Sequence, residues 1–367
     1  MSGQYITGID IQNYRNIQQA KAQFSPGINI IFGENGQGKT NFLEAVWLLS
    51  GGKSFRGSKD REMINFDRDS FIIEGVVRRR EHDEKIRIAC SKTNPRFQGR
   101  MASLSGSAFV SPSKIAGNFY RVIFSPVHLN IVSGSPALRR KFADACLCQM
   151  YPSFVENYRQ YMHVIAQRNA FLKDVKKYSG RQDAIFDTFD SSLSKLGYSI
   201  YKMRKEFIRQ LAQAAGQYYR NISGGREKLT FVYKYCADSR RGIAEKLRRS
   251  RQRDMVLGHT GQGVHKEDIE IFLDGRPAKE YASQGQQRSI VVAMKLAESD
   301  IMQSVTGTAP AVLLDDVLSE LDGLRQDYLL NHIGGRQVFI TSCHLDRIAV
   351  SGSRKFLVDG GEVKQCM

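Results

Sequence analysis

The sequence has no apolar run approaching the roughly 18 residues that a membrane-spanning helix needs. Its opening, MSGQYITGIDIQNYRNI, carries neither a basic start nor an apolar stretch of signal-peptide length. No membrane role or export is expected, and the cytoplasm is the expected location. Cysteine offers no disulfide or metal framework. Its six copies (Cys90, Cys146, Cys148, Cys236, Cys343, Cys366) are scattered, and the one close pair, CLC, has the spacing of neither a zinc knuckle nor a redox CxxC. Acidic residues are the third shortage: 37 Asp and Glu face 54 Lys and Arg, leaving a formal charge of +17. Such an excess suits a polyanionic partner, most commonly nucleic acid, because Lys and Arg release condensed counterions from phosphates. Solubility alone is the competing explanation.

The 367 residues suffice for about two domains. ITGIDI alternates apolar and polar positions, and GINIIF is an apolar run that ends in a glycine-rich loop, so both are predicted strands. NFLEAVWLL then reads as a buried helix, while FIIEGVV and KIRIAC read as a hairpin in a peripheral sheet. From about residue 136 to 220 glycine and proline thin out and apolar residues take helical spacing. There the stripe Tyr151, Phe154, Tyr158, Tyr161 fits either a base-stacking platform or, as its period favours, a core face. KLTFVYKY and DIEIFLDG are further strands around a basic stretch, and AVLLDD and RQVFIT have the look of buried parallel strands. The expected fold is α/β: a core from residues 1–130 and 270–367 around a mainly helical insertion at 131–269.

GENGQGKT, Gly33 to Thr40, fits the G-x-x-x-x-G-K-[ST] pattern between a strand and a helix. Gly33, Gly36 and Gly38 allow close backbone approach, so that N–H groups along Glu34, Asn35 and Gln37 can cradle phosphates at the start of the helix that carries Asn41. Lys39 is expected at the β and γ phosphates of ATP and Thr40 on Mg²⁺. In AVLLDD, Asp315 ends the apolar run and is the expected second Mg²⁺ ligand. Asp316 would face the attacking water. Helix N-cap acids are the alternative for this pair. SQGQQRS precedes an apolar helix, which places Ser283, Gly285 and Gln286 at a second helix N-terminus, either an anion site or simply a cap.

GENGQGKT, SQGQQ, LLDD, SELD and the His344 of FITSCHLD occur in the order of an ABC-type ATPase head, which the chain resembles. That resemblance implies that nucleotide is sandwiched between the phosphate loop of one copy and the SQGQQ signature of another. It also places Ser319 to Asp322 in the interface loop and His344 at the γ-phosphate. Asn35 and NFLEAV are similar to SMC-type DNA-repair heads. IQNYRNI, GGKSFRG, FSP with GSPALRRKFAD, GHTGQGVHKED, EYASQGQQRSIVVAMKLAE and LLDDVLSELD narrow the resemblance to the RecF family of bacterial recombination mediators. This implies a P-loop NTPase core with a peripheral sheet and a helical lobe, an ATP-dependent homodimer, and binding to duplex or gapped DNA. It further implies a weak, DNA-stimulated ATPase that resets the dimer, and cooperation with RecO and RecR in loading recombinase. A DNA-binding module using ATP only structurally is the alternative. The chain departs from the family pattern at Val127 and His128, and at GVHKED, and no glutamine is assigned to a Q-loop. Candidate DNA contacts are Arg139, Arg140 and Lys141, and Arg248, Arg249 and Arg251 in the basic stretch from Arg240 to Arg253; a solvated face is the alternative.

Overall fold

The computed structural model describes residues 3–79, 82–95, 99–178, 180–343 and 352–366. The chain divides into two compact units, Met1–Leu129 with Val291–Met367, and Asn130–Ile290. The second unit runs past the boundary expected at residue 269 and takes the SQGQQRS segment with it.

The first unit holds two sheets. One is six-stranded, in the order Glu362–Cys366, Arg354–Asp359, Ile28–Phe32, Val338–Ser342, Ala311–Asp315, Arg121–Phe124. Its neighbours are parallel except for the hairpin of the first two. Every residue of Ala311–Asp315 and of Arg121–Phe124 is buried, as befits parallel strands covered on both faces. The other sheet is antiparallel, in the order Ile17–Gln23, Gln4–Tyr14, Ser70–Arg79, His82–Ser91, Met101–Leu104. It contains the hairpin expected from FIIEGVV and KIRIAC, registered from Ser70↔Ser91 to Arg79↔His82.

Helix Lys39–Leu48 packs against both sheets. Its buried Phe42, Leu43, Val46 and Leu48 share one core with Ile11 and Phe71 of the antiparallel sheet and with Leu313 and Phe339 of the parallel one. Each such side chain contributes about 1.5–3 kcal/mol on burial. That packing fixes the glycine loop at the carboxyl edge of the parallel sheet, the usual ligand edge in such folds. The register aligns this edge: Ser342 lies opposite Phe32, and Thr341 opposite Asp315.

The second unit is built on helices Pro136–Met150, Pro152–Lys173, Gln182–Ile222 and Arg240–Leu257, with a three-stranded sheet of Leu229–Lys234, Asp268–Leu273 and Arg276–Pro277. Phe154 and Tyr161 are 0% and 1% exposed, so the aromatic stripe is a core face. Helix Gln182–Ile222 has 41 residues, about 60 Å of axis. Its buried positions include Phe186, Asp190, Leu193, Gly197, Ile200, Arg204, Phe207 and Leu211, alternating steps of four and three. The two charged members of that stripe find buried partners. Arg168 on the neighbouring helix pairs with Asp254 at 2.7 Å and lies 3.7 Å from Asp190, while Arg204 pairs with Asp144 and Glu267. Among the described residues no helix is long and apolar enough to cross a membrane.

Candidate functional site

Gly33 and Gly38 show why the loop needs glycine. Gly33 has φ +150° and a Cβ there would sit 2.1 Å from the carbonyl oxygen of Val358; Gly38 has φ +118° and would meet the Asn16 side chain at 2.8 Å. The loop is held from outside by residues that lie far away in the chain. Asn16 donates Nδ2 to the Gln37 carbonyl at 2.9 Å and accepts from Asn41 at 2.7 Å. The turn of the Arg354–Asp359 hairpin reaches the same residue, Gly360 N–H donating to Gln37 Oε1 at 2.7 Å and Gly361 N–H to Gln37 O at 3.0 Å. Lys39 lies back across the loop, its Nζ donating to the Gly33 and Glu34 carbonyls at 2.7 Å each. An ammonium in that position faces the concavity that glycine-loop N–H groups offer to phosphate oxygens.

Thr40 Oγ1 donates to Asp315 Oδ1 at 2.8 Å. Asp315 is buried and also receives Thr341 Oγ1 at 3.3 Å and Ser125 Oγ at 3.4 Å. Burial holds its carboxyl above the ordinary range for aspartate, against the hydrogen bonds from Thr40 and Thr341 and the charge of Arg56. A hydroxyl and a carboxylate this close form a hard-oxygen donor pair of the kind Mg²⁺ takes alongside phosphates, so the residues present fit that ion. Asp316 has φ +53°. Its N–H donates to Thr341 Oγ1 at 2.8 Å, and Ser319 Oγ donates to its carbonyl at 2.7 Å and to Oδ1 at 3.2 Å. A non-glycine residue in the left-handed region is uncommon and is held there by its surroundings. Neither Asp315 nor Asp316 caps a helix; the cap is Asp322, whose Oδ1 accepts from Arg325 N at 3.0 Å.

Several members of the first unit's site were not singled out from sequence: Asn16, Ser125, Thr341, Arg56, which donates to Asn41 Oδ1 at 2.9 Å, and Cys343, which donates to Asn35 Oδ1 at 2.9 Å. Behind them Glu44, fully buried on the loop's helix, accepts from Tyr14 at 2.8 Å, Arg15 at 2.7 Å and Ser54 at 2.5 Å. The NYRN and GGKSFRG segments are thus a scaffold for that helix.

In the second unit, Ser283 and Gln286 form a reciprocal capping box at the start of helix Gln284–Thr306. Gln286 N–H donates to Ser283 Oγ at 3.2 Å, and Ser283 N–H to Gln286 Oε1 at 2.7 Å. Gln286 Nε2 is taken by Glu227 at 2.6 Å, which in turn accepts from Tyr219 at 2.6 Å. The side chain of Gln286 is therefore committed within its own unit. Ser283 is exposed and, among the described residues, its hydroxyl only accepts, keeping its proton to donate elsewhere.

Comparison with known proteins bears on this arrangement. The AAA domain family model matches residues 9–248. The DNA replication and repair protein RecF of Thermoanaerobacter sp. (strain X514) is 34% identical over 98% of this chain and 99% of its own length. The chain belongs to the RecF family. A solved structure of the recombination mediator protein RecF with ATP, described as part of the RecFOR pathway, superposes with a TM-score of 0.93 at 33% identity, covering 100% of this chain and 98% of that one. The Smc head domain of Pyrococcus furiosus, solved with the C-terminal domain of ScpA, shares the fold at a TM-score of 0.56 and 14% identity, over 99% of this chain and 96% of that chain.

His128 and GVHKED, expected from the sequence to depart from the family pattern, have local partners in the structure. His128 Nδ1 accepts from Ser125 N–H at 3.1 Å and so braces the turn that presents Ser125 to Asp315. In GVHKED, His265 sits between Tyr161 OH at 2.9 Å and the Thr260 carbonyl at 3.1 Å, and burial pushes its pKa down to about 4. Glu267 accepts from Cys236 N–H at 2.9 Å, from Arg204 at 3.1 Å and from Tyr233.

The expected DNA contacts divide. Arg139 is buried and forks onto Asp268 at 2.8 and 2.9 Å, and Arg251 holds Asp187 at 2.5 Å and Asp190 at 2.6 Å. Their guanidiniums serve ion pairs inside the unit. Arg140 donates to the Glu267 carbonyl and is half-buried. Lys141, Arg248 and Arg249 are exposed. His344 lies outside the described residues.

Proposed function

We propose that this chain is an ATP-dependent DNA-binding protein of recombinational repair: two copies close around ATP, the closed dimer binds duplex or gapped DNA, and slow hydrolysis reopens it. The observation that carries the reading is the convergence of Lys39, Thr40 and Asp315 beside a glycine loop at the carboxyl edge of a parallel sheet. Lys39 exchanges the two carbonyls for β and γ phosphate oxygens, and the loop N–H groups bind the rest. Thr40 and Asp315 would hold Mg²⁺, which when bound supplies charge neutralisation to the phosphates. Asp316 orients the attacking water, whose oxygen bonds to the γ-phosphorus as the bond to the ADP oxygen breaks. His344 is proposed to sit beside the γ-phosphate. The reading extends to cooperation with RecO and RecR in loading recombinase, and the RecFOR pathway to which the solved ATP-bound RecF is assigned supports it. Lys39→Met is expected to weaken ATP binding at least about 150-fold, since hydrogen bonds to charged groups contribute roughly 1.5–3 kcal/mol each and two are lost. ATP affinity measured by calorimetry decides it, and an unchanged affinity would overturn the site.

The dimer step has its own test. If the free O–H of Ser283 donates to the γ-phosphate held by the other copy, Ser283→Arg should leave ATP binding intact while abolishing the mass increase that ATP produces in light scattering. A variant that still dimerises would reduce Ser283 to a helix cap.

The DNA step rests on Lys141, Arg248 and Arg249. Replacing Arg248 and Arg249 with Gln should lower the slope of log affinity against log salt for duplex DNA by about two, one for each lost phosphate contact. Arg251 is left in place because it neutralises Asp187 and Asp190. A wild-type slope would make this helix face merely solvated.

A further inference from the structure

A ridge of tyrosine and lysine in the second unit is used by none of these steps. On helix Gln182–Ile222, Lys195, Tyr198, Lys202 and Lys205 fall at i, i+3, i+7 and i+10, which is one helical face. Beneath them Tyr201 is buried, stacked on Tyr198 (6.1 Å, 24°) and on Tyr233 (6.1 Å, 19°), with Tyr235 tilted against it at 5.0 Å. Lys202 Nζ stands 5.0 Å from the Tyr198 ring; Lys205 Nζ stands 5.6 Å from the Tyr201 ring and 5.9 Å from that of Tyr235. Tyr235, just past strand Leu229–Lys234, is 43% exposed, while Val232 and Lys234 alternate with Tyr233 and line the opposite face of that strand. Among the described residues Lys195, Lys202 and Lys205 form no salt bridge, while Lys234 lies 3.5 Å from Glu270 and the neighbouring Glu206 is engaged by Arg209.

We infer that this ridge binds an unpaired nucleic-acid strand, with a base stacked on Tyr235 and phosphates on Lys202 and Lys205. Protein interfaces are rich in tyrosine but poor in lysine, whereas single-strand channels combine a basic track with aromatic faces. Duplex DNA presents charge but no base face, because its bases are stacked on one another. Two lysines lying over one tyrosine cluster, with Lys195 on the same helical face, therefore suit the unpaired strand best. Only the partner class rests on the DNA reading above; the nucleotide site and Arg248 and Arg249 play no part.

Fluorescence anisotropy on the full chain tests it, with labelled oligothymidylate and a labelled blunt duplex as probes. Tyr235→Ala should bind oligothymidylate roughly 10-fold more weakly, within the range measured for a lost base–aromatic stack. Tyr235→Phe, which keeps the ring, should stay near wild type. Lys202→Gln with Lys205→Gln should lower the single-strand salt slope by about 1.4. Duplex affinity should be unchanged in all three. The ridge assignment falls if Tyr235→Ala binds oligothymidylate like wild type, if Phe is as weak as Ala, or if duplex affinity drops in parallel. Wild-type binding to duplex alone would also overturn the ridge while leaving the DNA reading standing; binding to neither probe would overturn both.

Discussion

Asp315→Asn is expected to lower Mg²⁺-dependent ATP turnover about a thousandfold or more and yet to raise the melting temperature of the free protein. The loss follows from the metal. An amide is a poor ligand for a hard cation, and charge stabilisation by such an ion is worth several kcal/mol, each 1.36 kcal/mol being a factor of ten in rate. The gain in stability follows from burial. Asp315 has its carboxyl above the ordinary aspartate range because desolvation penalises the charged form, and asparagine removes that charge while its Oδ1 still accepts from Thr40. For a carboxyl raised in this way the sign is the reverse of the usual one. The fold is favoured below the unfolded pKa, and that stability is lost as pH rises through the higher folded value. The melting temperatures of Asp315→Asn and parent should thus differ most at neutral pH and converge in acid. Thermal melts across that range, without nucleotide, check both sign and trend. A variant that melts lower than its parent at neutral pH would show that Asp315 is a structural acid.

How much of this site could be read in the sequence depended on how local its chemistry is. GENGQGKT is legible because strand, glycine loop and helix are contiguous, and Asp315 because an apolar run ends on it. Asn16 and the Gly360–Gly361 turn were invisible: they reach Gln37 across 21 and 323 residues, and a hydrogen bond of that separation leaves no periodic trace. The basic residues failed for a related reason. Arg139 and Arg251 look like any surface cation, and only Asp268, Asp187 and Asp190, brought in from other elements, turn them inward. Gln286 did leave a signal. Ser-x-x-Gln is a capping box, and its mutual hydrogen bonds commit Gln286 to Ser283.

Arg204 also left a signal, since a charge inside an apolar stripe of period three and four implies a buried partner. Arg204→Met is accordingly expected to cost about 3–5 kcal/mol, the loss typical of breaking a buried pair from one side. Arg204 is 1% exposed, its Nε and Nη2 fork onto Asp144 at 2.8 and 2.9 Å, and its Nη1 serves the Val264 carbonyl at 2.6 Å and Glu267 at 3.1 Å. Methionine fills much of the volume but leaves two carboxylates in the interior. For a unit of this size the cost corresponds to a fall of about 6–20 °C in its melting temperature. The cause is separable from packing. If stranded charge is responsible, adding Asp144→Asn to Arg204→Met should recover part of the loss, whereas the same change alone should destabilise, because it weakens the fork on an intact Arg204. Melting temperatures of the four proteins close this cycle. Additive losses would mean that Arg204 acts by filling space, and that the GVHKED segment is held by Tyr233, Cys236 and Arg139 without it.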